Sequence, residues 1–215
     1  MSPDSAPSGS GSRFDAEEPF LSTLQDAVHA ADASGVPWVL MGGVGSAVQG
    51  RPRWTHDIDL FVTPRGAGQV LNSLADAGFK TEEHDPNWLF KGWKNGTLVD
   101  VIFRSSGSIY LDDEMVARAT PQEIGGCTAR VIAPEDLIVI KAVTADEHVP
   151  RHWHDCLDLL GRDNLDWDYL LRRARHHGVR RLLSLLLYAE SNDIWVPTAR
   201  IVELFDAVHP RSETP

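Results

Sequence analysis

The chain has 215 residues, of which 42% are hydrophobic and 24% charged, and its formal net charge is -11. This size and composition predict one soluble globular domain, or a core with a small appendage. The acidic balance argues against a protein that coats nucleic acid indiscriminately, because that task needs surplus Lys and Arg, although a local basic patch stays possible.

Cysteine usage and hydropathy point to a compartment. Cys127 and Cys156 form neither a CxxC pair nor a disulfide framework, which fits a reducing environment. The chain opens without a cationic, apolar signal sequence, and its longest apolar run, LLSLLLYA, is far too short to span a bilayer. We therefore expect a cytoplasmic protein with no membrane partner.

The first part of the chain predicts a tail followed by helices and strands. Residues 1–13 are small, polar and rich in Pro, Ser and Gly, which is typical of a disordered tail. Apolar residues then recur at helical spacing from residue 14 to about 34. The stretch VPWVLMGG predicts a short strand that ends at glycines, VGSAVQG a short helix, and DIDLFV a second strand.

The middle of the chain predicts a helix, a hairpin and another strand. The stretch PRGAGQVLNSLADAGF has the pattern of a helix closed by Gly78. Asn95 and Gly96 form a strong turn signal between two strand-like runs, which predicts a hairpin. The stretch CTARVIAPEDLIVIKAVTA predicts a strand and then a helix with Pro134 near its first turn.

From residue 134 onward the pattern is almost wholly helical. Apolar spacing predicts helices over 134–145, 151–161, 166–177, 179–191 and 198–207. The layout is therefore α/β, with a mixed α/β core followed by a helical region. The expected divisions are a tail at 1–13, the core at 14–133, the helical region at 134–208 and a second tail at 209–215.

Two acids, Asp57 and Asp59, lie one residue apart in an otherwise apolar strand. Side chains at positions i and i+2 of a strand share a face, so both carboxylates lie on one side, opposite Ile58 and Leu60. Two such carboxylates repel each other unless a cation lies between them. Hard oxygen ligands suit Mg²⁺ or Mn²⁺, the ions that assist displacement at phosphorus.

A third acid, Asp100, interrupts the strand-like run TLVDVIF. If that strand lies beside DIDLFV, three carboxylates converge on one spot and predict a metal site. The simpler alternatives are a solvated turn or edge strand for the Asp-x-Asp pair and a water-facing position on an edge strand for Asp100. The combination favours the metal site, because a lone buried carboxylate is costly.

Glycines and basic residues near the acids predict a phosphate cradle. Gly42 and Gly43 end a strand and precede a small-residue helix, so their N–H groups can approach an anion closely, and Ser46 could add a hydroxyl donor. The side chains of Arg51, Arg53 and Thr55 follow within reach of phosphate oxygens. Together these residues describe a triphosphate site beside the carboxylates.

At this point the sequence resembles a known superfamily. Gly42-Gly43, then Arg53-x-Thr55-x-Asp57-Ile58-Asp59-Leu60, and the later Asp100 are similar to the nucleotidyltransferases that include DNA polymerase β and the antibiotic nucleotidyltransferases. A nearer resemblance is to small bacterial members, including the AbiEii-like toxins of toxin–antitoxin systems, in which a PEDL…K helix follows the catalytic half. Pro134-Glu135-Asp136-Leu137 and Lys141 match that helix, and the similarity covers about residues 35 to 160.

The resemblance implies a mixed-sheet nucleotidyltransferase core and assigns roles to residues. It implies that Asp57 and Asp59 bind the metal ions and that Asp100 completes the set. It also implies that Gly43 and Ser46 hold the nucleotide phosphates. With the residues inferred above and Lys141, the predicted nucleotide-binding set is Gly42, Gly43, Ser46, Arg53, Thr55 and Lys141.

One departure from the family pattern lies at RHWHDCLDLL, where His154 stands in place of an expected lysine before Asp155. Either His154 keeps a role at the phosphates or base, or that role has moved to Lys141 or Arg151, or His154 is a surface histidine. A zinc site at His152 and His154 is rejected, because residues two apart on a helix do not share a face.

The basic stretch LLRRARHHGVRRLL spans Arg172 to Arg181 and is the one clear counterweight to the acidic total. We interpret it first as a solvated helix face, and alternatively as an electropositive wall for an NTP or an RNA acceptor.

Two functional hypotheses follow. The first is a metal-dependent enzyme that transfers a nucleoside monophosphate from an NTP to an unidentified acceptor: a small molecule, or an RNA or protein target as for a toxin with an antitoxin partner. The acidic surface favours a small cationic acceptor or a protein partner. The second is a non-catalytic module that senses nucleotide or binds a partner on the same scaffold.

Overall fold

The computed structural model describes residues 18–50, 53–146 and 150–210. The tail predicted at 1–13, most of the tail predicted at 209–215, and Arg51 lie outside these ranges. Among the helices that the model describes, none combines the length and apolar character that crossing a membrane requires.

The described ranges contain a seven-stranded mixed sheet in the order β3-β4-β5-β2-β1-β7-β6. The strands β2 and β5 are parallel, as are β1 and β7, and the other neighbouring pairs are antiparallel. The strands are β1 Trp38–Leu40, β2 Asp57–Val62, β3 Lys80–Asp85, β4 Leu89–Lys94, β5 Thr97–Ile102, β6 Thr120–Ile124 and β7 Cys127–Val131.

Helices cover both faces of this sheet. The α/β architecture predicted from the sequence is therefore confirmed, with a helical region at the C-terminal end. In the described ranges the α-helices are α1 Glu18–Ala33, α2 Gly42–Gln49, α3 Ala67–Asp76, α4 Asp113–Arg118, α5 Pro134–Thr144, α6 Arg151–Leu160, α7 Trp167–His177, α8 Val179–Glu190 and α9 Thr198–Val208.

Two hydrophobic clusters lie on opposite faces of the sheet, and β2 contributes to both. Ile58, Leu60 and Val62 pack with apolar residues of α1 and α3. Phe61, from the other face of β2, packs with residues of α5 to α9. This alternation follows from the two-residue period of a strand, which also places Asp57 and Asp59 on the Phe61 face.

The predicted hairpin is formed by β4 and β5. Its turn residues Asn95 and Gly96 have φ of 51° and 78°, the left-handed conformation that a two-residue hairpin turn requires. Because β5 also pairs with β2, it is an interior strand, and the edge-strand alternative for Asp100 is wrong.

Helix α5 connects the sheet to the helical region. Pro134 occupies its first turn, and most of its side chains are buried because helices α2, α6, α7 and α8 contact it. Its buried Asp136 accepts a hydrogen bond from the Tyr169 hydroxyl (2.7 Å) and is paired with Arg173 (2.9 Å). Burial raises the pKa of Asp136 to about 6, and Tyr169 and Arg173 oppose that rise.

The basic stretch of α7 and α8 is mostly paired or exposed. Arg172 is bound by Glu114 at 2.6 Å, and Arg175 by Glu203 at 2.5 Å. The interpretation as a solvated face is wrong for Arg173, whose side chain is buried between Asp136 and Asp112. A buried guanidinium is tolerated there because two carboxylates face it.

Candidate functional site

A cleft of about 520 Å³ lies between the sheet and helices α5 and α6. The glycine turn after β1, the start of β2 and the loop after β5 line one side, and α5 and α6 line the other. Its floor carries Asp57 and Asp59, and Trp88 and the loop of Ser105 to Ser108 stand at its mouth on the β5 side.

Asp100 lies beside Asp57 and Asp59 and completes a cluster of three acids. Strands β2 and β5 run parallel with Asp59 directly opposite Asp100, and Asp57 shares their face two residues earlier. Potential ligand oxygens of the three carboxylates all lie within 4.8 Å of one another. The structure thus brings together the three acids that the sequence predicted to converge.

Each carboxylate of this triad has one oxygen engaged by a neighbour. The Thr55 hydroxyl donates to Asp57 Oδ1 (2.6 Å), and the Gly43 N–H donates to Asp59 Oδ2 (3.3 Å). The Lys91 ammonium donates to Asp100 Oδ1 (3.0 Å). These contacts orient the acids. The hydrogen bonds of the described residues leave the second oxygen of each for a further ligand.

The triad stores electrostatic repulsion. Desolvation, reinforced by the charges of Asp57 and Asp100, raises the pKa of Asp59 to about 7. Desolvation also raises the pKa of Asp100, although Lys91 opposes it. A divalent cation such as Mg²⁺ or Mn²⁺ prefers hard oxygen ligands and would stabilise the ionised forms of these carboxylates. The three residues therefore fit such an ion.

Gly42 and Gly43 open α2 and permit a close approach to the triad. Gly42 has a φ of 62°, and a Cβ there would overlap the Asp59 carboxylate. A Cβ on Gly43 would overlap the Thr55 side chain. Ser46, one turn later, is buried and donates its hydroxyl to the Gly42 carbonyl (2.8 Å). Gly42 is therefore required by Asp59 and Gly43 by Thr55, and not only by a predicted anion.

Arg53 and Lys141 meet on a single buried carboxylate. Arg53 donates from Nε to Asp155 Oδ1 (2.7 Å) and from Nη2 to Oδ2 (2.8 Å), and Lys141 Nζ donates to Oδ2 (2.7 Å). Burial would raise the pKa of Asp155, but these two cations outweigh burial and lower it. Asp155 thus holds two cleft-lining cations beside the acidic triad.

The histidines divide differently from the sequence-based expectation. His152 lines the cleft, where burial and the charges of Lys141 and Arg151 lower its pKa to about 4, so its ring is neutral at pH 7. His154 is exposed and borders a shallow pocket with Trp153 and Tyr188. A surface histidine is therefore the alternative that fits His154.

The cleft differs in charge from the chain as a whole. Among its described lining residues, the only acids are Asp57 and Asp59, whereas Arg53, Arg104, Lys141 and Arg151 are cationic. None of the arginines from 172 to 181 is among those described lining residues, which gives no support to the electropositive-wall alternative. The acidity of the chain therefore does not describe the environment of a bound ligand.

The sequence predicts three residues of the site incompletely or not at all. Lys91 was not singled out, although its place before the hairpin turn sets it opposite Asp100. The sequence pattern around His152 suggests only a zinc ligand, which helix geometry rejects. Asp155 is marked only by its place after His154, where the chain departs from the family pattern. The hairpin register could have revealed Lys91, but no local spacing connects Asp155 to Arg53, 102 residues earlier.

A family model described as an uncharacterised nucleotidyltransferase matches residues 17–191. No curated protein matches the chain in sequence.

Three solved structures are similar to the chain at low identity. The antibiotic-resistance factor ANT(2'')-Ia is 18% identical with a TM-score of 0.50, over 80% of this chain and 92% of that one. The lincosamide antibiotic adenylyltransferase LnuA is 16% identical with a TM-score of 0.46, over 67% and 96%. A nucleotidyltransferase-like antigen of Paracoccidioides brasiliensis is 16% identical with a TM-score of 0.45, over 79% and 92%.

Proposed function

The chain belongs to the nucleotidyltransferase family whose model matches residues 17–191, and we propose that it transfers a nucleoside monophosphate from an NTP to an acceptor in a reaction that depends on Mg²⁺ or Mn²⁺. The observation that carries this proposal is the triad of Asp57, Asp59 and Asp100, two of whose members, Asp57 and Asp59, line a cleft that is also lined by cations. Family membership gives the reaction class, and the triad supports a competent site.

In the proposed reaction an acceptor oxygen bonds to the α-phosphorus of the NTP, the bond to the bridging oxygen breaks and pyrophosphate leaves. Asp57, Asp59 and Asp100 would hold the divalent cations through the oxygens that Thr55, Gly43 and Lys91 leave available. Bound there, the ions would supply positive charge to the reacting phosphates and to the leaving pyrophosphate.

The cations of the cleft are proposed to bind the polyphosphate. Arg53 and Lys141 lie on the same buried carboxylate, so their positions are fixed before a nucleotide binds. Such preorganisation reduces the entropy lost on binding and orients the phosphates over the triad. The N–H groups of the Gly42–Gly43 turn complete the proposed cradle, in which the Gly43 N–H is shared with Asp59. The Ser46 hydroxyl would join the cradle only by exchanging the Gly42 carbonyl for a phosphate oxygen.

The chemical class of the acceptor is identified by a labelling experiment. The purified protein is incubated with each of the four α-labelled NTPs and Mg²⁺, together with pooled small metabolites, total RNA or soluble protein. Label retained in one pool and stoichiometric pyrophosphate release identify the acceptor class. A toxin-like role requires the label on RNA or protein, and an antibiotic-type role requires it on a small molecule.

The matched variants are Asp57→Asn and Asp163→Asn, the same chemical change inside the triad and at an exposed turn residue. We expect Asp57→Asn to reduce transfer by at least about a hundredfold, because it removes a charged metal ligand, and Asp163→Asn to leave it unchanged. Metal-dependent NTP binding without any pyrophosphate release would contradict the enzyme and support the nucleotide-sensing module.

A further inference from the structure

A row of charged residues crosses four neighbouring strands at the metal triad. The register places Glu82 of β3 opposite Lys91 of β4, Lys91 opposite Asp100 of β5, and Asp100 opposite Asp59 of β2. Side chains paired in this way lie on the same face of the sheet. Lys91 therefore reaches the triad from the side away from α2, and its side chain is only 17% exposed.

Lys91 makes Asp100 different from the other two carboxylates. Asp57 and Asp59 accept hydrogen bonds from neutral donors, the Thr55 hydroxyl and the Gly43 N–H. Asp100 instead accepts from a full positive charge at 3.0 Å, in a pair whose side chains are both more than four-fifths buried. An ion pair with this little solvent screening persists where an exposed one would be weak.

We propose that Lys91 is a positioning residue that keeps Asp100 from a divalent cation until the nucleotide is bound. This inference rests on the proposed function. The Lys91 ammonium repels a cation that approaches the triad and already neutralises one of its three carboxylates. The phosphates of an NTP add negative charge that outweighs the ammonium, so the complete metal site forms together with the nucleotide.

The proposal and a purely structural role of Lys91 predict opposite changes in the affinity for a divalent cation. Removal of the positive charge increases the affinity of the nucleotide-free protein for a divalent cation, whereas loss of a supporting contact would weaken it. The probe is Mn²⁺ alone, and its free concentration is measured from the electron paramagnetic resonance signal of the unbound ion. Lys91→Met keeps the length and apolar stem of the side chain and removes the charge.

We expect Lys91→Met to bind Mn²⁺ about tenfold or more tightly than the wild type in the absence of nucleotide. Lys91→Arg, which retains the positive charge, should remain within about threefold of the wild type. Addition of a non-hydrolysable NTP should then increase Mn²⁺ affinity more in the wild type than in Lys91→Met, because the variant no longer needs the phosphates to offset an ammonium.

Lys94→Met is the matched control for the loss of one positive charge from β4. Lys94 lies three residues after Lys91 and thus on the other face of the strand, where it pairs with Asp26 of α1 at 2.6 Å. It should bind Mn²⁺ as the wild type does. Thermal melts of each variant without metal establish that the compared proteins are folded.

The outcomes separate this inference from the function on which it rests. Mn²⁺ affinity in Lys91→Met that is equal to or weaker than in Lys94→Met overturns the role of Lys91 while the metal-dependent function stands. Absence of Mn²⁺ binding in the wild type, with and without the NTP analogue, overturns the metal-dependent function itself.

Discussion

Asp59 is the residue whose environment predicts a pH-dependent stability. Its pKa in the fold is about 7, above the ordinary value near 4 that it has in the unfolded chain. Between these values the folded protein binds more protons than the unfolded one, so the stabilisation present below about pH 4 is lost as the pH rises to about 7. The ionised triad is therefore a destabilising feature of the metal-free protein.

We expect Asp59→Asn to remove this loss. In metal-free buffer the free energy of unfolding of the variant should increase relative to that of the wild type as the pH rises from 4 to 7. The difference should reach a plateau of about 2–4 kcal/mol, the order of magnitude that the pKa difference allows. Asparagine can still accept the hydrogen bond from Gly43, so the loop contact is retained. Urea unfolding at pH 5, 6, 7 and 8 measures the difference.

In the presence of a divalent cation we expect the wild type to be more stable relative to Asp59→Asn than it is in metal-free buffer. A divalent cation binds the ionised carboxylates of the folded wild type and stabilises it by mass action, and Asp59→Asn should lose most of this effect. The same urea series in millimolar Mg²⁺ provides the test. A free-energy difference between the two proteins that stays constant from pH 5 to 8 would show that Asp59 is not strained in the fold.

The convergence of the three acids could be predicted because strand patterns connect them. Asp57 and Asp59 share a face because of the strand period, and the interrupted run around Asp100 indicated a neighbouring strand. The clamp of Asp155 on Arg53 and Lys141 could not be predicted, because it depends on how α6 packs against the start of β2. The neutral state of His152 depends in the same way on its burial beside Lys141.

At the scale of elements, the sequence predicts those that are half-buried and regular. The strands β1 and β2, the hairpin and the helices from residue 134 onward were predicted with ends close to those in the structure. The strands β3 and β6 were missed because they are the edges of the sheet, and their largely exposed sequences KTEEHD and TPQEI show no apolar alternation. Helix α4 has only six residues, too few to show a period.

The turn between β1 and α2 yields a prediction at this scale. Gly42 and Gly35 both have a left-handed φ, of 62° and 67°, but only at Gly42 would a Cβ meet another group, the Asp59 carboxylate. Alanine at either position should cost about 1–2 kcal/mol for the conformation. Gly42→Ala should in addition displace Asp59 and abolish the rise in melting temperature that Mn²⁺ and NTP together produce.

Gly35→Ala is the internal control for this comparison. It should melt at a lower temperature than the wild type and keep the full stabilisation by Mn²⁺ and NTP, because nothing lies within 4 Å of its added Cβ. Differential scanning fluorimetry with and without ligands compares both variants. Equal ligand-induced shifts in the two would mean that the close approach of Gly42 to Asp59 does not support the site.

The whole molecule is held together across the boundary between its α/β core and its helical region. Val39 and Phe61 of the sheet belong to the same hydrophobic cluster as Leu137 and Ile138 of α5 and the apolar residues of α6 to α9. The cleft lies at this junction, since β2 supplies the acids of its floor and α5 supplies Lys141. The geometry of the site therefore depends on both regions.

This packing predicts that the region from residue 14 to 133 does not fold by itself. A chain that ends at Ala133 exposes the part of the sheet that α5 to α9 cover. Burial of this apolar surface is the main favourable contribution to folding, and it offsets the loss of conformational entropy. We expect such a fragment to lack near-ultraviolet circular dichroism and a cooperative thermal transition. The full chain should unfold in a single transition, because one cluster connects both regions.

Removal of residues 198–215 is the matched truncation. Only two side chains of helix α9, Ile201 and Leu204, are buried, and the helix contacts chiefly α7 and α8. Its removal therefore leaves the sheet face covered. That protein should keep its cooperative transition at a lower temperature, and it should keep the Mn²⁺-dependent stabilisation, because none of the described cleft-lining residues lies in α9. A cooperative, native-like transition in the fragment ending at Ala133 would instead show that the core is an independent domain.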